Sequence, residues 1–324
     1  MASIIEIEEY GSSSVLTHKT RSIESPKVGE VQIRNLAIGV NYHDVYVRSG
    51  LYKTLKLPGT PGCEASGIIE KIGKNVVGFE EGERVTYLTR EYGAYASHIN
   101  IVSEKVLKLP STLKDELVAT NFLRAMTVEM LLNRVTSVDS SKTILVTAAS
   151  GGVGRLLCQW ASSRGVKVIG SVGSQEKIPE TKLNGCIKTF VSSDEKFSNK
   201  VLDVTNGKGV DIVFDSVGND TFESSLSSLA HCGYLINFGQ SSGPVRPVLM
   251  STLAEKSLSI SRPILFHYFG NRKNYENMAA SVFKAFEDEI IKVSEFLPFD
   301  LKDASKAHDT LESRKGGGSI YLVP

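Results

Sequence analysis

The sequence predicts an α/β protein in which a doubly wound parallel sheet is joined to a β-rich domain, and three observations predict it. The stretch Ala148-Ala149-Ser150-Gly151-Gly152-Val153-Gly154 follows a short apolar run at 142–147 and opens an amphipathic one at 155–164, so strand, glycine turn and helix arrive in that order. Apolar, β-rich runs recur at 166–171, 210–214, 233–238 and 257–261, separated by segments able to form helices. Such alternation is the pattern of parallel strands joined by helical crossovers. The first part of the chain reads differently: short β-like runs at 31–38, 65–72, 84–88 and 94–101 are punctuated by turn glycines and prolines, which predicts a β-rich domain.

The connecting elements follow. Pro58-Gly59-Thr60-Pro61-Gly62 and Gly78-Phe79-Glu80-Glu81-Gly82-Glu83 are turn or loop signals, and 116–132 has helical apolar spacing. The nucleotide domain is expected to begin there. Beyond residue 270 come an amphipathic helix at 274–291, an apolar extended piece, a second helix at 301–313, then Gly316-Gly317-Gly318 before a last strand at 319–323. The end of the chain is expected to return to the first domain. No internal repeat or low-complexity tract is present.

Glycines in a strand-to-helix turn let the backbone approach a pyrophosphate, whose charge is then stabilised by the N–H groups and the positive dipole end of the following helix. Ala149 stands where the first glycine of the usual G-x-G-x-x-G is found, so spacing alone leaves a nucleotide site and a purely structural turn both open. Ligands of such sheets bind at the carboxyl ends of the strands, where Asp215-Ser216-Val217-Gly218 and Asn237-Phe238-Gly239-Gln240-Ser241 fall. Ser150 lacks the G-x-S-x-G elbow of a hydrolase nucleophile.

The chain has 324 residues, more than one typical domain, and 41% hydrophobic residues can supply a sizeable core. With 37 basic and 36 acidic residues, bulk electrostatics give no reason to expect a nucleic-acid or membrane partner. No apolar run of about 18 residues occurs, and Met1-Ala2-Ser3-Ile4-Ile5-Glu6 lacks the layout of a signal peptide. Cys63, Cys158, Cys186 and Cys232 are scattered without C-x-x-C spacing, as expected of free thiols in a reducing compartment. A cytoplasmic protein is the expectation.

Several segments in order now carry a family resemblance: Gly39-Val40-Asn41-Tyr42-His43-Asp44-Val45-Tyr46-Val47-Arg48-Ser49-Gly50-Leu51-Tyr52, Pro61-Gly62-Cys63-Glu64-Ala65-Ser66-Gly67, 148–160, 215–218, 237–242 and Ser261-Arg262-Pro263. Nearly end to end, the chain resembles the quinone oxidoreductases of the zeta-crystallin type, among the zinc-independent medium-chain dehydrogenases/reductases. The resemblance implies a GroES-like domain at 1–122, completed by 271–324, a Rossmann domain at 123–270, NADPH as cofactor and a homodimer. Zinc-dependent relatives carry a cysteine where Asn41 stands and a histidine where Cys63 stands. Catalytic zinc needs three protein ligands and structural zinc four, and 86–98 contains no cysteine, so no metal is expected. Cys63 and Glu64 read as a buried thiol and a structural carboxylate, and His43 as a polar wall residue.

With those ligands changed, no Lewis acid would polarise an alcohol, whereas a quinone accepts hydride from a nicotinamide held in register, without metal or flavin. The resemblance places Asn41, Tyr46, Tyr52 and Arg262 around an interdomain cleft. The amide and phenols would donate to the developing oxyanion and the guanidinium would offset its charge; packing, or for Asn41 and Tyr46 cofactor contact, is the alternative. For the cofactor, an NAD site usually has Asp or Glu about 20 residues beyond the turn. This chain has Ser171-Val172-Gly173-Ser174 there, then Lys177, which suits a 2′-phosphate. Arg314 matches a second cation near the end of the chain. The family-matched cofactor set is completed by Thr127, Ser150, Gly151, Gly152, Val153, Gly173, Ser174, Ser192, Ser216, Val217, Phe238, Gly239 and Ser241. Ser192 and Met130 stand where similar proteins often have tyrosine.

Three readings stay open. The first is an NADPH:quinone reductase. The second is an enone or 2-alkenal reductase using the same fold and cofactor, since fold does not fix substrate. The third, from another class, is a zeta-crystallin-like protein that binds AU-rich RNA or serves structurally, although nothing here resembles an aromatic and basic single-strand platform.

Overall fold

The computed structural model describes residues 1–313 and 318–324; Arg314 and the first two glycines of the triple run lie outside the described residues. The chain divides into two units, 1–123 with 293–324, and 124–292. The boundary falls inside a helix.

In the first unit β1 (Ala2–Glu6) pairs antiparallel with β2 (Thr17–Arg21). β3 (Glu30–Gly39) leads into α1 (Tyr42–Ser49), followed by β4 (Glu64–Ile72), β5 (Arg84–Leu88), β6 (His98–Val102), β7 (Val106–Lys108) and α2 (Asp115–Met130). β3 is the hub: it pairs antiparallel with β4 and β6 and with the last strand of the chain. Its Val31, Ile33 and Ile38 side chains are fully buried with Ile69, Val85 and Tyr87 from the neighbouring strands. The expected strand at 94–101 is narrower. Ala94 and Tyr95 are tied into the 59–62 loop through bonds from Ala94 N to Gly62 O and Tyr95 N to Pro61 O, and ladder pairing with β3 begins at His98.

The second unit carries β8 (Thr143–Val146), α3 (Gly152–Ser163), β9 (Lys167–Val172), α4 (Ile178–Leu183), β10 (Cys186–Val191), α5 (Phe197–Val204), β11 (Val210–Asp215), α6 (Phe222–Ser228), β12 (Leu229–Asn237), α7 (Met250–Ala254), β13 (Ser259–Ser261), α8 (Leu265–Tyr268) and α9 (Arg272–Glu287). Its sheet is parallel, in the order β10-β9-β8-β11-β12-β13. The order reverses direction between β8 and β11, the switch point where such sheets open a crevice at their carboxyl ends. Leu145, Ile169, Val213 and Leu235 from the sheet bury one face against Phe197, Val201, Phe222 and Leu226 of α5 and α6.

Three differences from the sequence reading have physical reasons. β10 was not expected: it is an edge strand in which Ile187 and Lys188 face solvent, so it lacks the apolar run that marks a central strand. The strand expected at 257–261 starts at Ser259, because Ser257 has φ 54°, a left-handed turn incompatible with a ladder. The segment 271–292, expected with the first domain, belongs to the second unit. α9 buries Tyr275, Met278, Ala279, Val282, Ala285 and Phe286, and Gln159 of α3 holds the segment that follows it by donating to Lys292 O (3.2 Å) and accepting from Lys292 N (2.9 Å). The chain then rejoins the first unit with β14 (Phe296–Asp300), α10 (Ala304–Ser313) and β15 (Ser319–Val323); β15 pairs parallel with β14 and antiparallel with β3.

Candidate functional site

In the second unit the expected dinucleotide residues collect at the carboxyl edge of the parallel sheet. β8 ends at Val146, the chain turns through Thr147 and then Ala148 at φ 47°, and Gly151 caps α3 without a side chain to accept from its first amides. A Cβ at Gly154 would lie 2.2 Å from Ala148 O, so only glycine lets the helix leave the strand this tightly. Ser150, Gly151, Gly152 and Val153 are half-buried around this turn. Ala149 N donates to Ser171 O (2.9 Å), which anchors the turn beside the end of β9.

There Gly173 is exposed, and a Cβ on it would meet nothing within 4 Å. Ser174 opens the 3-10 turn Gln175–Lys177. Ser192 joins this corner because its N–H donates to Val172 O (2.8 Å). Ser216, Val217, Phe238, Gly239 and Ser241 lie at the ends of β11 and β12, knitted by bonds from Ser241 N to Ser216 O (3.3 Å) and Phe238 N to Asp215 O (2.8 Å). Gly239 is required here, since a Cβ would stand 2.6 Å from Ser216 O. Arg262 follows β13 and is exposed, its Nη1 donating to Asn237 O (2.9 Å). Thr127 is half-buried on α2, while Met130 is core. Arg314 lies outside the described residues.

The side-chain roles of two residues at this edge were not read from the sequence. Asp215 is fully buried, and its Oδ1 accepts from Thr147 Oγ1 (2.9 Å), Val217 N (2.9 Å), Gly218 N (3.3 Å) and Thr221 Oγ1 (2.8 Å), while Oδ2 accepts from Asn237 Nδ2 (3.3 Å). One carboxylate thus ties together the ends of three strands. Arg124, buried on α2, lies against Gly152, where a Cβ would stand 3.0 Å from its Nε. The available signal was an arginine flanked by apolar residues, Phe122-Leu123 before it and Ala125-Met126 after it.

In the first unit α1 carries the other expected residues. Asn41 caps it: its N–H donates to Asp44 Oδ2 (2.8 Å), a local reason for the helix to start at Tyr42. Asn41 is only 4% exposed, and its Nδ2 donates to Glu64 Oε1 (2.5 Å), whose Oε2 accepts from Leu123 N (2.6 Å). One amide hydrogen is therefore committed to a buried carboxylate. Tyr46 and Tyr52 come together edge-on, ring centroids 5.1 Å apart, with Tyr52 N donating to Tyr46 O (2.9 Å). His43 packs against Tyr52 and Tyr92, and burial pushes its imidazole down to about 4. Cys63 is fully buried, and desolvation, reinforced by Asp44 and Glu64, raises its thiol well above the ordinary range.

Among the described residues no group of three His, Cys, Asp or Glu side chains is placed to hold a metal ion, and no helix is long and apolar enough to cross a membrane.

Residues 27–111 match the family model of the alcohol dehydrogenase GroES-like domain, and 152–284 match that of the zinc-binding dehydrogenases. Quinone oxidoreductase 1 of Escherichia coli K12 is 38% identical over the whole of both chains. A 2-haloacrylate reductase of a Burkholderia species is 36% identical over 98% of each. The crystal structure of Escherichia coli quinone oxidoreductase complexed with NADPH superposes with a TM-score of 0.95 at 37% identity, covering 99% of this chain and all of that one. With this similarity along its whole length, and with asparagine and cysteine where zinc ligands would stand, the chain belongs to the quinone oxidoreductase family, of the zinc-independent type among the medium-chain dehydrogenases/reductases.

Proposed function

We propose that this chain is an NADPH-dependent quinone reductase in which hydride passes directly from the nicotinamide to the quinone. The observation that carries the reading is the glycine-bounded carboxyl edge of the parallel sheet, in a chain that aligns end to end with a quinone oxidoreductase crystallised with NADPH. The residues present fit that cofactor. The side-chain-free cap of α3 and the tight Gly154 turn leave backbone amides for a pyrophosphate, and Arg124 stands beside them as a further cation. After β9 the open Gly173, Ser174 and Lys177, with Ser192 at the same corner, suit a 2′-phosphate better than the ribose hydroxyl an acid would bind. Thr127, Ser216, Val217, Phe238, Gly239 and Ser241 border the ribose and nicotinamide in this reading, and Arg314 supplies a second phosphate cation.

When bound, NADPH supplies the hydride. The chain's own task is to orient the quinone and stabilise the negative charge on its oxygen. Tyr46 and Tyr52 present adjacent phenols for this, Arg262 adds positive charge, and Asn41 contributes mainly by fixing the start of α1 on Glu64. No step asks for a metal or a flavin, since a quinone carbonyl accepts hydride without Lewis-acid activation.

The similarity to a 2-haloacrylate reductase favours a second reading, hydride delivery to the β-carbon of an activated alkene. NADPH oxidation followed at 340 nm with a small para-quinone, a bulky ortho-quinone and an alkenal separates the two: turnover confined to quinones supports the first, and alkenal turnover the second. Binding of NADPH without turnover of any would return the RNA-binding or structural alternative. We infer further that the protein is a cytoplasmic homodimer, β13 being an edge strand with one face of its ladder unpaired among the described residues. Native mass spectrometry tests the dimer.

A further inference from the structure

Reduction of a quinone by hydride leaves an oxyanion that needs one proton to become the hydroquinone. Hydrogen bonds from Tyr46 and Tyr52 stabilise that charge but do not replace a proton given away. Beside these rings stands a chain of three polar groups leading outward. His43 packs its ring against Tyr52, centroids 5.8 Å apart, and nearly parallel against Tyr92 at 5.9 Å and 18°. Its Nε2 lies 3.3 Å from Tyr92 Oη, and that phenol lies 2.5 Å from Thr54 Oγ1. Thr54 is exposed.

Tyr92 holds this position at a cost. It is 7% exposed, and its backbone has φ 64°, a left-handed conformation that a bulky side chain adopts at roughly 1–3 kcal/mol and that collects at functional sites. A phenylalanine would fill the same space. What the phenol adds is a hydroxyl shared between an imidazole and an exposed alcohol.

We propose that Thr54, Tyr92 and His43 form a proton relay from solvent to the oxyanion of the reduced quinone, an inference that rests on the quinone-reductase reading above. The overall step is quinone plus hydride plus proton giving hydroquinone. His43 is the catalytic residue: its Nδ1–H bond breaks as the O–H bond forms on the substrate. In the same step Nε2 takes the Tyr92 proton, Tyr92 takes that of Thr54, and Thr54 is reprotonated from bulk solvent. When the product leaves, water protonates Nδ1 and the Nε2 proton passes back, Tyr92 handing its own proton to Thr54 and Thr54 releasing one to solvent, which restores the starting tautomer. Tyr92 and Thr54 act through His43 and are positioning residues. Burial keeps the imidazole neutral at physiological pH, so it has one N–H to give and one lone pair to receive, as a relay requires.

The test is steady-state kcat with NADPH and a small para-quinone, in H2O and D2O, for the wild type, Tyr92→Phe, Thr54→Val and His43→Ala, with NADPH affinity read separately by fluorescence titration. The relay predicts a normal solvent isotope effect in the wild type and a loss of about 10–100-fold in kcat for Tyr92→Phe with unchanged NADPH affinity. Thr54→Val, altered at an exposed position, shows a smaller loss in the same direction. His43→Ala regains activity with added imidazole, and Tyr92→Phe does not. An active wild type beside a Tyr92→Phe variant of undiminished kcat, or a folded His43→Ala that imidazole fails to restore, overturns the relay alone. A wild type that binds NADPH but leaves quinones unreduced overturns the quinone-reductase reading and the relay with it.

Discussion

Replacing Asp215 by asparagine changes one oxygen for an amide nitrogen at the knot that joins the ends of β8, β11 and β12. The carboxylate accepts five hydrogen bonds, four of them on Oδ1. If the asparagine keeps its oxygen at the Oδ1 position, its nitrogen meets Asn237 Nδ2, donor against donor, and Asn237 must flip to accept. The four remaining bonds lose their charge assistance, worth about 1 kcal/mol each from the difference between charged and neutral hydrogen bonds. Relief from burying a carboxylate without a cationic partner returns part of this. The expected net loss is about 2–4 kcal/mol of unfolding free energy, read by urea denaturation, with weakened NADPH binding because Ser216, Val217 and Phe238 take their backbone placement from the same knot. Asp215→Ala, which leaves five donors without an acceptor, costs more. If Asp215→Asn matches the wild type within about 0.5 kcal/mol and binds NADPH equally, the carboxylate is not what holds these strand ends.

Further outcomes follow from other parts of the molecule. Lys177→Ala should raise the KM for NADPH several-fold and leave that for NADH nearly unchanged; equal kcat/KM for the two cofactors in the wild type would refute the 2′-phosphate assignment. Tyr52→Phe should lower kcat/KM for a quinone by about tenfold or more, and an unchanged value removes its phenol from the mechanism. His308 is fully buried, and desolvation, aided by Arg48, pushes its pKa down to about 3. The folded state therefore refuses a proton that the unfolded chain accepts below its ordinary value near 6.5. Stability is present above that pH and is lost as pH falls toward the folded pKa, by about 2–3 kcal/mol between pH 6.5 and 4.5. Urea denaturation across that interval should show the slope, and His308→Asn should flatten it.

What the sequence made legible is what rests on local pattern. Strand, glycine turn and helix around Gly151 are written in consecutive residues, and β15 appeared at 319–323 as expected. That Ser171-Val172-Gly173-Ser174 at the end of β9 holds no acid was likewise readable from four adjacent positions. Edge and tertiary features were not. β10 lacks an apolar run because it is half exposed, and the tie between residues 159 and 292, which fastens the segment after α9 to α3, spans 133 positions. The bonding of the Asp215 side chain was not legible, since its partners Thr147 and Asn237 are 68 and 22 positions away. The candidate site was legible as a set of residue types. Missing was the contact of His43, which read as a polar wall residue, with Tyr92 and Thr54.

The pairing of β15 with β3 bears on how the protein is made. The second unit is a single stretch, 124–292, with all its strands internal to it. The first unit has its principal ladder strand at Glu30–Gly39 but receives β14 and β15 only from the final residues. On the ribosome, the nucleotide unit can fold as soon as its own stretch has emerged, whereas the first unit, whose β3 is made earlier, waits for 319–323 to close its sheet. A stop before residue 319 would strip β3 of its β15 partner, leaving a chain with an intact nucleotide fold and an open edge in its first unit, the kind of species that proteases and chaperones recognise.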